Sequence, residues 1–223
     1  VISINKNKLI KEIIVGCILS FIMIRFGLTM PFTLNLLIII PVSVVYSLID
    51  KRFTCLSYTI ATLYLIYNIV LKLGISNASL LRLPYEKFII LIGILHIAEG
   101  VMTICAAKED NEVTVGYKEN RLVGGYRTCK RWTIPLFLFQ VKGIYIPVLV
   151  ILVYAGESFT MSIQKKSRVM GRWILLYGMM ISLLGYLGLK QLLPLELAVI
   201  CMPIFHEILF EINEKIENKN SIT

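Results

Sequence analysis

The chain has two histidines, and each stands beside a glutamate inside an apolar run: His96 and Glu99 in 88–100, His206 and Glu207 in 197–211. Imidazole and carboxylate side chains together suit zinc or iron, or the handling of a proton. Ionisable groups inside a membrane span are costly, so each one there points to function or to a structural partner. On a helix, His96 and Glu99 at i, i+3 share a face, as do Glu207 and Glu211 at i, i+4. The adjacent His206 and Glu207 diverge by about 100°. A metalloprotease of the HExxH type needs a second histidine where Phe210 stands, so that motif is excluded. Cys201, five residues before His206, does not share its face and makes a poor nucleophile for it.

Three readings of these groups compete. The first is an interhelical polar clasp that fixes register, worth about 1–2 kcal/mol. The second is a metal or proton site made of His96, Glu99, His206 and Glu207. In the third, Glu207 and Glu211 simply reach the membrane interface. At a rise of about 1.5 Å per residue, Glu99 lies about 17 Å and His206 about 18 Å below the starts of their segments. A contact between Glu99 and His206 is therefore expected if the two helices touch, and the clasp is preferred over an active site. No catalytic residue is assigned. No cofactor is expected either, since Gly124-Gly125 lacks the glycine spacing that cradles phosphate.

The elements that must carry these residues are apolar. The apolar fraction is 57%, the charged fraction 17% and the mean hydropathy +0.77, against about 45–50% and about 25% in soluble domains. A soluble domain of 223 residues has no interior large enough for this apolar surface, so the reading is a polytopic membrane protein forming one domain, 1–223. The five cysteines share no CxxC spacing, and packing roles are expected for them. A span needs about 20 mostly apolar residues. Candidates are Glu12–Gly27, Thr33–Ile49, Phe53–Leu73, Phe88–Ala107, Arg172–Leu189 and Pro194–Ile212. The apolar stretch Ile134–Gly156 is interrupted by Gln140-Val-Lys142-Gly143 and by Pro147, which suits a re-entrant hairpin better than a span. The expected fold class is thus an all-α transmembrane bundle of six spans plus a re-entrant hairpin, with seven spans as the competitor.

Loop charges orient this bundle. Lys6, Lys8 and Lys11 place the N-terminus in the cytoplasm, and the basic loops Lys108–Arg131 and Lys165–Arg168 belong on the same side. Within 108–131, Val113–Tyr117 and Leu122–Tyr126 are β-leaning runs separated by a turn of hairpin length, which predicts a small cytoplasmic β-hairpin. Its basic residues Lys108, Arg121, Arg127, Lys130 and Arg131, with Lys165, Lys166 and Arg168 from the next loop, are expected to meet lipid headgroups or an acidic protein partner. The net charge of +9 is explained this way, without nucleic acid.

His96-x-x-Glu99-Gly100, a polar loop, Val123-Gly-Gly-Tyr126, Arg131-Trp132-x-x-Pro135 and a late His206-Glu207 occur in that order. In this the chain resembles, over Phe88 to Ile212, the membrane region of Firmicutes PDZ-containing membrane proteins related to the cell-division topological determinant MinJ. The resemblance implies a bacterial cytoplasmic membrane, no known catalysis, and a scaffolding role in division-site or polar organisation. The chain ends soon after its last apolar run, so the bundle and the basic hairpin are expected to carry over and peptide binding by a PDZ domain is not. The function expected from the sequence is a non-enzymatic membrane scaffold that recruits a cytoplasmic or membrane partner. The alternative is a membrane enzyme or transporter working through the His/Glu site.

Overall fold

In the computed structural model, residues 6–74, 76–109, 111–118 and 121–219 are described. Helix α1 (Lys6–Arg25) leads through the short strand β1 (Met30–Pro31) and a 3-10 turn into α2 (Ile39–Ile49). A second 3-10 turn, Lys51–Thr54, precedes α3 (Leu56–Lys72), and α4 spans Tyr85–Cys105. Strands β2 (Asn111–Lys118), β3 (Arg121–Val141) and β4 (Ile144–Ser158) follow, then α5 (Ile163–Leu189) and α6 (Leu195–Lys219).

The four strands form one mixed sheet, which overturns the all-α expectation. β3 pairs antiparallel with β4 from Tyr126↔Ser158 to Val141↔Ile144, and with β2 from Lys118↔Arg121 to Asn111↔Thr128. β1 joins in parallel at Met30↔Phe139. The stretch assigned to a re-entrant hairpin is therefore the far half of a β-ribbon. The physical reason is period-two alternation: Thr128, Lys130, Trp132, Ile134, Leu136 and Leu138 are buried, and the residues between them are not. The polar interruption is its turn. Lys142 and Gly143 have φ values of 49° and 84°, the two left-handed positions of a two-residue hairpin loop. The β-leaning runs of 113–126 do pair, Val113 opposite Tyr126, but as one end of this larger sheet.

Among the described residues two helical stretches, Ser79–Cys105 and Ile163–Leu189, are long and apolar enough to cross a membrane, in place of six or seven. They form the central antiparallel pair. Contact is close because glycines face each other at sevens: a Cβ on Gly100 would stand 2.7 Å from the Gly171 oxygen, and one on Gly178 2.6 Å from the Gly93 oxygen. The inner face of the sheet joins them through Trp132, Leu152 and Tyr154 in a common core with Met102, Met170 and Ile174. α1 lies along β3, where Ser20 Oγ accepts the Phe137 N–H at 2.9 Å.

Polar side chains finish the helix ends. Lys130, buried at 2% exposure, donates from Nζ to the Ala106 carbonyl oxygen and so places a cation at the negative end of α4. Glu217 of α6 accepts from the Phe159 N–H at 2.6 Å and from Lys166 Nζ at 2.9 Å. Ser158 and Thr160 donate to the same carboxylate at 3.2 Å each. Burial opposes the Glu217 charge, but these donors outweigh it and hold the carboxyl below the ordinary carboxylate range.

Candidate functional site

α3, α4 and α6 meet around one thiol and two imidazoles. Asp50 caps the turn before α3 by accepting the Arg52 N–H at 2.9 Å, and that hydrogen bond first, then the Arg52 guanidinium, hold its carboxyl below the ordinary carboxylate range. The turn delivers Cys55, in extended conformation, to the N-cap of α3. There its Sγ lies 3.5 Å from His96 Nε2 and accepts from Ser57 Oγ at 2.8 Å.

The tautomers follow from the partners. His96 Nδ1 lies 2.7 Å from the Ile92 carbonyl oxygen, which can only accept. Nδ1 therefore carries the proton, and the Nε2 lone pair faces Cys55. His206 Nδ1 lies 3.0 Å from the Tyr58 hydroxyl oxygen, and Tyr58 donates to Glu207 Oε1 at 2.6 Å. With its one proton given to the carboxylate, Tyr58 accepts from His206 Nδ1–H, and Nε2 of His206 also holds a lone pair. Ligand atoms of Cys55, His96 and His206 all lie within 4.8 Å of one another.

Aromatic edges fix the rings. Tyr177 stands edge-on to His96 at 4.8 Å between centroids and to His206 at 5.7 Å, and its hydroxyl donates to the Met202 carbonyl oxygen at 3.1 Å. Phe210, in the position where HExxH would need its second histidine, packs on His206 at 5.3 Å. Zinc holds sulfur at about 2.3 Å and imidazole nitrogen at about 2.0–2.1 Å, which at a tetrahedral angle separates the two donors by about 3.6 Å. The observed 3.5 Å between Cys55 Sγ and His96 Nε2 matches that edge. A cysteine sulfur and two imidazole nitrogens with outer hydrogen bonds are the donor set of a borderline metal such as zinc.

The residues singled out from sequence separate here. His96 and His206 come together, with ring centroids 5.8 Å apart. Glu99 makes no hydrogen bond or ion pair among the described residues, so the expected Glu99–His206 contact is absent; α4 and α6 meet through the two histidines instead. Glu207 faces Tyr58 and, at 3.7 Å, the Arg52 guanidinium. The basic residues do not form one free surface. Arg127 pairs with Glu157 at 2.7 Å, and Lys130 and Lys166 are buried. Lys108, Arg131, Lys165 and Arg168 are exposed, while the side chain of Arg121 lies outside the described residues.

Cys55, Ser57, Tyr58, Tyr177 and Arg52 carried no sequence motif. Cys55 is 41 positions from His96, and Tyr58 is 148 from His206, so no local spacing joins them. The available signal was a cysteine opening an apolar helix straight after a charged turn. No protein-family model, curated protein or solved structure matches the chain.

Proposed function

We propose that this chain is a multi-pass protein of the bacterial cytoplasmic membrane that works as a metalloenzyme, with Cys55, His96 and His206 as the ligands of one zinc-type ion. The observation that carries the reading is the convergence of two imidazoles on one thiol, with His96 Nε2 3.5 Å from Cys55 Sγ and a ligand atom from each of the three residues within 4.8 Å of the others. Three protein ligands leave a fourth position open, the pattern of catalytic rather than structural sites. When bound there, the ion supplies Lewis acidity and makes water a nucleophile near neutral pH, so the reaction class is hydrolysis. The chain's own part is to orient the donors, through Ile92, Ser57 and Tyr58, and to surround them with the apolar edges of Tyr177 and Phe210.

In this reading α4 and α5 cross the bilayer, the chain before α4 and helix α6 each pass through it packed against that pair, and both termini are cytoplasmic. Support comes from two contacts that gather four helix ends on one side. Lys11 in α1 meets Glu109 after α4 at 3.5 Å, and Lys166 in α5 meets Glu217 in α6. The basic residues of 108–131 and 165–168 lie at those same ends, as cytoplasmic residues should. The exposed Lys108, Arg131, Lys165 and Arg168 favour a second reading, in which this end recruits an acidic partner or lipid as the MinJ-related resemblance implies.

Metal analysis of detergent-purified protein tests the first reading. About one zinc per chain is expected, lost in Cys55→Ser, His96→Ala and His206→Ala while helix content is kept. Metal-free wild-type protein that takes up none on addition, with variants altered only in thermal stability, would leave the three residues as a packing cluster and refute the enzyme reading.

A further inference from the structure

We infer that Tyr58 and Glu207 are positioning residues for the metal centre, joined with Arg52 in a relay that fixes His206; the inference rests on the metal reading above. Glu207 looks like a ligand in the sequence because it adjoins His206. Neighbouring helix positions diverge by about 100°, however, so the carboxylate does not turn back onto its own neighbour's ring. The fold places Tyr58 of α3 between them. Its hydroxyl accepts from His206 Nδ1–H at 3.0 Å and donates to Glu207 Oε1 at 2.6 Å. The other oxygen, Oε2, faces Arg52 Nη1 at 3.7 Å, and Arg52 Nε is anchored on Asp50 Oδ2 at 3.2 Å.

Each link has one permitted direction. A guanidinium only donates and a carboxylate only accepts, so the Tyr58 proton points to Glu207 and the phenol oxygen is left to accept from imidazole. The relay therefore selects the Nδ1–H tautomer of His206 and leaves Nε2 with the lone pair that a metal would take, on a ring whose centroid lies 5.8 Å from that of His96. Metal-bound histidines usually rest their second nitrogen on a carboxylate or carbonyl, and losing such an outer partner typically costs 10–100-fold in metal affinity. Here the carboxylate acts at one remove, through a phenol. The same relay ties the centre to the turn Asp50–Arg52, where the Asp50 and Arg52 side chains are 41% and 46% exposed.

The test is zinc affinity by competition with a chromogenic chelator, together with the visible spectrum of the cobalt-substituted protein. Tyr58→Phe keeps the ring that packs on Phe53 at 5.0 Å and on His206 at 5.2 Å. It is expected to weaken zinc about 10–100-fold, with a metal-free protein that still melts cooperatively and a cobalt spectrum that keeps its thiolate band. Glu207→Gln retains an acceptor for Tyr58 and should lose less than Glu207→Leu. If Tyr58→Phe does not fold, Glu207→Leu takes its place with the same expected loss. Wild-type zinc affinity in Tyr58→Phe or, failing that, Glu207→Leu overturns the relay while leaving the metal centre intact. Loss in Glu207→Gln as complete as in His206→Ala would make Glu207 a ligand and also overturns it. A wild-type protein that binds neither ion refutes the underlying metal reading instead.

Discussion

An imidazole delivers one lone pair, and the group on its other nitrogen decides where that lone pair goes. His96 and His206 solve this differently, one with the carbonyl of its own preceding helical turn and one with a phenol from another helix. That difference predicts unequal sensitivity. His206 orientation is lost with one side chain, whereas His96 orientation survives any substitution at Ile92 that leaves the helix intact. Away from the centre, the Glu217 carboxylate makes its own prediction. Its folded pKa lies below the ordinary value, so its stabilisation is fully present above the ordinary carboxylate range and is lost as pH falls through the depressed value. Glu217→Gln should therefore destabilise by about 1–3 kcal/mol at neutral pH, and thermal melts of the two proteins should converge in acid. Equal separation at all pH values would contradict this. The two histidines were legible in the sequence because charge-bearing residues are rare in apolar runs. Cys55 was not, because a cysteine in an apolar context is usually packing and its partners are remote in the chain.

At the scale of elements, the sheet and the glycine-lined helix pair hold the centre in place. Gly178→Ala would put a Cβ 2.6 Å from the Gly93 oxygen, and backbone cannot yield as a side chain does. The expected cost is about 1–3 kcal/mol from overpacking, with zinc affinity reduced as α4 carries His96 away from Cys55. A melting temperature equal to wild type would contradict this close packing. The sheet was hard to read for a specific reason. Residues 132–154 are apolar at most positions on both faces, with Leu149, Ile151 and Val153 exposed opposite the buried set, so composition resembles a membrane segment. The period-two signal survives only where polar residues mark the outer face, at Arg127, Cys129, Arg131 and Thr133. The turn was the more reliable guide, since Lys142-Gly143 has the left-handed pair that a tight hairpin demands.

For the whole molecule, hydropathy correctly indicated an apolar protein but miscounted its spans, because a window of apolar residues does not distinguish a lipid-facing helix from a β-ribbon or a shorter packed helix. The remaining helices either fall short in length, as α2 and α3 do, or carry too much charge, as α1 and α6 do. The proposed placement of both termini in the cytoplasm predicts that tags at either end resist protease added to intact cells and are cleaved after permeabilisation. Cleavage of one tag alone in intact cells would contradict it. What the thiol and the two imidazoles hold is read most directly by X-ray absorption at the zinc edge, which reports the donor atoms. The predicted shell has one sulfur at about 2.3 Å and two imidazole nitrogens at about 2.0 Å, with one further light atom. Cys55→Ser, which retains no stoichiometric zinc, should show no such shell. A wild-type shell without sulfur, or zinc bound in Cys55→Ser with an unchanged shell, would contradict the proposed centre.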